Sequence, residues 1–370
     1  MGVYAEVTIE PIEKLRVQLA GRYEDYSDFG DTTVGKLSAR YEITDTFALR
    51  GTASTGFRAP TLAEAYYSAT NVGPTTAFVQ MPPNAPATAL LGLGAGLQPE
   101  EATNFSLGFV YRPEGAMSLT FDLYQVEVRN RIAATSTFYG TIDGELYSQV
   151  IVDAIIANGN VLDPAVVESG DTGINLFTNG VTTETRGIDV TFNYTTDYSW
   201  ATVDWSVAAT YNDTEVTKVR DTPPEFGTTQ ALFDQEALAD LEDTMPDYLV
   251  NLGAVFKWER VTFSVHELVY GPCSDYDNDS GETNGELMFY KNEIGMTPIT
   301  NLEFTFEAME RLNFVVGATN VFDEYPDKRN DTFREIQFNA GDNGVVAGYP
   351  SFSPFGINGA YYYGKMTYSF

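Results

Sequence analysis

The chain carries one cysteine and one histidine in 370 residues. Cys273 therefore has no intrachain disulfide partner, and His266 alone cannot build a histidine-based metal or acid–base cluster. These shortages remove the raw material of most hydrolase and metalloenzyme chemistry. Basic residues are scarce too: 21 Lys and Arg stand against 52 Asp and Glu, a formal charge of −31. No basic block occurs anywhere, which excludes a nucleic-acid backbone as partner, because binding it requires clustered cations on the phosphates. Long hydrophobic runs are missing as well; nothing approaches the roughly 18 apolar residues of a membrane helix. The opening MGVYAEVTIEPIEK lacks a basic stretch followed by an apolar one, so it does not read as a secretory signal. Two expectations remain, a soluble cytoplasmic protein or a chain whose front end lies upstream.

What is present is enough apolar and aromatic surface to fold, 43% and 14% of residues respectively. Its arrangement has period two from end to end. Ala201, Val203, Trp205, Val207, Ala209 and Tyr211 alternate with Thr202, Asp204, Ser206, Ala208 and Thr210, as a strand with one apolar and one polar face must. The same holds for Leu15, Val17 and Leu19, for Phe105, Leu107 and Phe109, and for Leu119, Phe121 and Leu123. It holds again for Ile188, Val190 and Phe192, for Leu252, Ala254 and Phe256, and for the closing Tyr362, Gly364, Met366, Tyr368 and Phe370. Helical periodicity is nearly absent, with one short turn of helix expected over Val150 to Ile156 within a loop.

The connections alternate between tight and long. Tight turns fall near residues 11–13, 44–45, 112–115, 197–199, 259–260 and 307–310. Long connections fall near 55–100, 132–183, 218–245, 271–286 and 321–356, with a shorter one near Asp28. Short turns at one end and long loops at the other are the layout of an outer-membrane barrel, with periplasmic turns and extracellular loops. Strands of about 9 to 13 residues also suit a tilted bilayer span better than the five or six typical of globular strands. The reading is therefore all-β, an antiparallel transmembrane outer-membrane β-barrel with about 13 strands. Single-chain bacterial barrels have an even number of strands, so an odd count leads us to expect that the start of the barrel is missing.

Several segments, in order, resemble one family, the TonB-dependent outer-membrane receptors. RGTASTGFRAPTLAE (50–64) is similar to its G-F-R-A-P-x-L-x-E signature, and LQPEEATNFSLGF (97–109) to its L-x-P-E-x-x-x-N-x-x-L-G strand. DLYQVEVRNRI (122–132) and FTNGVTTETRGIDVTFNY (177–194) resemble two further strands, GATNVFDEY (317–325) a late N-x-F-D turn, and SPFGINGAYYYGKMTYSF the terminal strand. The resemblance implies a 22-stranded barrel around an N-terminal plug, preceded by a box that engages the energy-transducing TonB protein. No plug-like segment, box or signal peptide is recognised in residues 1–370, so the chain reads as the C-terminal portion of such a barrel, beginning at strand 10. By resemblance, the function is TonB-energised import of a scarce nutrient, a ferric siderophore, similar iron complex or vitamin, and no catalytic residues are expected. The implied partners are outer-membrane lipid, a small-molecule nutrient, the TonB complex through the missing N-terminal region, and the outer-membrane assembly machinery. The implied location is the outer membrane of a Gram-negative bacterium. A passive porin and a soluble carbohydrate-binding β-protein are the alternatives.

Candidate site residues follow. Arg50 and Arg58 either meet acidic plug residues or, for Arg58, form a local ion pair with Glu64. Aromatic residues crowd the long loops, and Tyr66, Tyr67, Phe78, Phe138, Tyr139, Phe177 and Phe333 are candidates for stacking on a planar ligand, or else for packing within the loops. DYDNDSGETNGE (275–286) places Asp275, Asp277, Asp279 and Glu286 at positions 1, 3, 5 and 12, as a calcium loop does, but its glycine is at position seven. Loop-bound calcium is a candidate there, and no other cofactor is expected. Tyr368 and Phe370 form the aromatic end that resembles the family's assembly signal. Residues 132–183, 218–245, 272–286 and 321–356 together hold 24 acidic residues against 5 basic ones, so 19 of the 31 net negative charges fall in loops assigned to the outside.

Overall fold

The computed structural model describes residues 1–369 apart from 28, 74, 94–95, 228–229, 280–286 and 340–347, and of residue 165 the backbone only. The alternating segments form one antiparallel sheet of 13 strands, the number expected from the sequence. Its strands are Gly2–Ile12, Leu15–Tyr26, Gly30–Glu42, Phe47–Arg58, Glu100–Tyr111, Met117–Ala134, Phe177–Asp197, Thr202–Val219, Tyr248–Trp258, Val261–Tyr270, Thr297–Met309, Leu312–Thr319 and Tyr361–Tyr368. Each pairs with its neighbours in sequence order, the simplest meander, in which every hairpin closes locally before the next strand is added. Among the described residues the first and last strands pair on one side only.

Register fixes the two faces. Leu107 lies opposite Leu123, which lies opposite Ile188 and then Tyr211, and these apolar side chains stay exposed. Together with Leu19, Leu37, Leu252 and Val316 they make an outward apolar face that a soluble protein would have to cover and that a bilayer covers. The other face is polar. There Arg50 Nε donates to Asp122 Oδ1 at 2.8 Å, although a whole strand separates them. Gly108 sits between the two in register, and a Cβ there would collide with the Asp122 carboxylate and the Phe121 carbonyl. Tyr363 reaches Glu303 at 2.8 Å across Gly317 in the same way. Inner-face glycines thus open gaps in the wall through which polar partners two strands apart can meet.

Two expectations are corrected. The first part of the long connection near 271–286 is not open loop, because Cys273–Asp279 is a strand paired with Met288–Ile294. Helices are also commoner than the periodicity suggests. Gln149–Ala157 matches the expected turn, but Leu62–Tyr66, Pro164–Ser169, Gln235–Glu242 and Asp331–Asn339 were not anticipated. All lie in the long connections, where five to nine residues are too few to show a 3.6-residue period.

Candidate functional site

The long connections do not hang as separate loops. Five short strands, Ala69–Val72, Thr76–Gln80, Phe138–Ile142, Glu145–Leu146 and Asp171–Asn175, pair into a second sheet drawn from two connections. Helix Gln149–Ala157 begins at Ser148, whose hydroxyl accepts from the Ile151 amide and donates to the Phe226 carbonyl at 2.6 Å. Its apolar stripe, Ile151, Ala154 and Ile155, packs on Val79, Leu91, Ile174 and Leu176. Phe138 and Phe226 meet at 4.4 Å between ring centres, both 0% exposed. The result is a folded head with its own hydrophobic core, standing at the long-loop end of the sheet.

Arg58 anchors that head to the wall. Its guanidinium holds Glu64 at 2.9 and 3.0 Å and Glu100 at 2.6 and 2.8 Å, and Glu100 also accepts from the Ile132 amide at 2.7 Å. Glu64 completes a capping box with Thr61 at the start of helix Leu62–Tyr66. One arginine therefore ties together a helix and three strands. The Glu64 pair was expected; Glu100, in the P-E step of the next motif, was the missed partner. Asn179 does a similar job nearby, donating to the Gln98 and Asn130 carbonyls at 2.8 and 2.7 Å. In the N-x-F-D turn, Asn320 adopts φ 52° and bonds the Glu324 backbone at both its amide nitrogen and its oxygen.

A second unit stands beside this core. Helix Gln235–Glu242 is capped by the Asp234 side chain and fastened at its far end, where Glu242 accepts from the Val216 amide at 2.5 Å. It packs against the hairpin Cys273–Asp279/Met288–Ile294, with Asn278 donating to Glu236. Burial and the neighbouring Asp234, Asp240 and Asp277 carboxylates push the Glu236 carboxyl up to about 7, against the Asn278 bond. On the opposite face of the hairpin, Asn292 donates to Asp275 at 2.8 Å and to Asp277 at 2.7 Å, and Arg329 pairs with Asp277 at 3.3 Å. Burial raises the Asp275 carboxyl, and it raises the Cys273 thiol to about 11, which keeps that sulfur protonated and unreactive.

The expected site residues are therefore distributed as follows. Tyr66 and Tyr67 are exposed, Phe78 and Phe177 are half-buried, and Phe138, Tyr139 and Phe333 are buried. Phe78 touches Tyr139 edge-on at 6.0 Å, and burial pushes the Tyr139 phenol up to about 12. Phe138 and Phe333 thus present packing rather than a free ring: Phe333 sits under Tyr290 at 5.7 Å and beneath the Arg329 guanidinium. Arg50 and Arg58 find acids within the wall itself. Asp275, Asp277 and Asp279 lie on a strand rather than a turning loop; among the described residues no group of three or more His, Cys, Asp or Glu is placed to hold a metal. Glu286 and Phe370 lie outside the described residues. Tyr368 lies beside Leu312 on the outward face, as expected.

A meandering antiparallel wall with an apolar exterior, a polar interior and a folded head at one end defines an outer-membrane barrel of the receptor type. The family model "TonB dependent receptor-like, beta-barrel" matches residues 1–321, and the chain belongs to that family. Its solved neighbours include a variant of the ferric enterobactin receptor (PfeA) from Pseudomonas aeruginosa, at 16% identity and a TM-score of 0.62, covering 100% of this chain and 44% of that one. The siderophore receptor PirA from Acinetobacter baumannii gives 16% identity and 0.59, covering 100% and 45%. FpvA of P. aeruginosa, bound to heterologous pyoverdines, gives 12% and 0.53, covering 88% and 34%. The chain thus spans under half the length of these neighbours. No curated protein matches the sequence. The family and the neighbours are transport receptors rather than enzymes, and nothing among them supports the porin alternative.

Proposed function

We propose that the chain supplies barrel wall and extracellular binding surface to a receptor that imports a scarce nutrient under TonB control, most simply a ferric siderophore or similar iron complex. The observation that carries this is the folded head: a pore for passive diffusion has no use for a hydrophobic core to which its outer connections give 13 of 15 described buried residues, whereas a receptor must hold a shaped surface toward its ligand. The named ligands of the solved neighbours support the same class. In this reading the 13 strands are the C-terminal part of a larger barrel in the Gram-negative outer membrane. The plug and the TonB contact are contributed by sequence outside these residues, and the aromatic end at Tyr368 and Phe370 engages the assembly machinery.

The test is uptake of radiolabelled iron by iron-starved cells with the gene present or deleted, each with and without TonB. Gene-dependent and TonB-dependent uptake of at least one ferric chelate is expected. Solute flux that persists without TonB in cells or in liposomes would replace the receptor reading with a porin.

A further inference from the structure

A cavity of about 790 Å³ opens between helix Gln235–Glu242 and the hairpin Cys273–Asp279/Met288–Ile294. Its size lies within the roughly 300–1,000 Å³ of small-ligand sites. Two kinds of surface line it. Leu238 on the helix and Tyr276 and Phe289 on the hairpin supply an apolar, partly aromatic wall; Asp234, Glu242 and Asp243 supply the charged groups, beside the neutral Ser136, Gln230 and Gln235. No lysine or arginine lines it among the described residues. Lys291, opposite Tyr276 on the same face of the hairpin, pairs with Glu293 at 3.0 Å and its charge also reaches the lining Asp243. Arg329 is held by Asp277 on the opposite face.

The lining is therefore net negative: Asp234 and Glu242 are offset only by backbone amides, and Asp243 shares Lys291 with Glu293. Glu236, one turn from the lining carboxylates, holds its proton toward neutral pH because burial and its acidic neighbours disfavour another negative charge. Among the described lining residues, Asp234, Glu242 and Asp243 are acidic and none is basic. An anionic guest would have to enter this field unpaired, a cost that stacking on two rings does not offset. A neutral guest meets only the aromatic wall, and a cationic guest gains from both surfaces.

We propose that this cavity binds the nutrient and selects for a compact metal chelate of neutral or positive charge, rejecting polyanionic chelates. This rests on the reading of the protein as a receptor for metal chelates and adds the charge class of its ligand.

The test is equilibrium binding by the receptor that carries this chain, purified in detergent, at low and moderate salt. The probes are three ferric complexes of comparable size: a trianionic tris-catecholate, a neutral tris-hydroxamate, and a tris-hydroxamate bearing one free ammonium. The expected order is monocation tightest, neutral next, trianion weakest, with salt weakening only the monocation. Asp234→Asn combined with Glu242→Gln removes two charges yet keeps the helix cap and the acceptor for the Val216 amide. It should weaken the monocation by roughly tenfold and leave the neutral complex within about twofold. Tyr276→Ala should weaken both. Equal or tighter binding of the trianion, or no effect of the charge-removing pair, overturns the inference while leaving the receptor reading intact. Failure of all three complexes to bind overturns the metal-chelate reading and the inference with it. The ranking on the unaltered receptor needs no variant, so a misfolded variant does not spare the proposal.

Discussion

At the scale of single residues, Arg58 shows how a surface-looking charge becomes structural. Its own side chain is 43% exposed, but its partner Glu100 is only 10% exposed and also serves the Ile132 amide. Removing the arginine leaves a largely buried carboxylate without its cation, whereas removing both charges leaves an uncharged amide that still accepts from Ile132. Arg58→Met should therefore destabilise the receptor by about 1–3 kcal/mol, and Arg58→Met with Glu100→Gln should recover much of that loss. The thermal midpoint of the detergent-solubilised receptor measures both; equal midpoints for the single and double variants would show that the pair is not coupled. Only half of this node was legible in the sequence. The Glu64 contact spans six positions and follows from a local motif, but Glu100 lies 42 positions away and becomes a neighbour only through strand pairing.

At the scale of elements, the head divides the loop aromatics into those that build it and those it displays. Phe138 packs on Phe226 and is fully enclosed, while Tyr66 is 59% exposed. Phe138→Ala should cost about 3–5 kcal/mol of head stability and open helix Gln149–Ala157 to hydrogen exchange, while Tyr66→Ala changes it by less than about 0.5 kcal/mol. Equal protection in the two variants would argue that the head has no cooperative core. The sequence could not make this division, because alternation reports which face of a strand a residue occupies, whereas Phe138 and Phe226 are brought together from different connections. Helix Gln235–Glu242 adds a pH dependence. The Glu236 carboxyl is raised to about 7 in the folded head, so the folded state binds more protons than the unfolded chain above the ordinary carboxylate range. Stability of the helix–hairpin contact therefore falls as pH rises from about 4.5 to 7, by about 1–2 kcal/mol for a partly exposed carboxyl, and is flat below that window. Glu236→Gln should reduce the slope, leaving the smaller part carried by the raised Asp240 and Asp275 carboxyls, and slow exchange in this helix at pH 8. A variant whose exchange keeps the same pH profile as the parent would place the titrating group elsewhere.

At the scale of the whole molecule, period-two alternation and the two classes of connection were readable end to end because both are local: each needs only neighbours along the chain, and each was repeated 13 times or nearly so. They set the strand number and the two faces, and they make a prediction that no single element could. Leu107 and Ser106 are adjacent in strand Glu100–Tyr111, yet Leu107 stands on the outward face beside Leu123 and Ser106 on the inner face opposite Thr52. If the outward face meets hydrocarbon, Leu107→Lys must bring an ammonium into it and should cost about 2–4 kcal/mol where the band is deepest, whereas Ser106→Lys enters a polar interior and should cost less than about 1 kcal/mol. Reversible unfolding of the receptor in lipid vesicles compares the two directly. Two lysines one position apart that differ this much require a membrane on one side of the sheet and water or polar protein on the other; equal costs would mean that the apolar face is covered by something other than lipid.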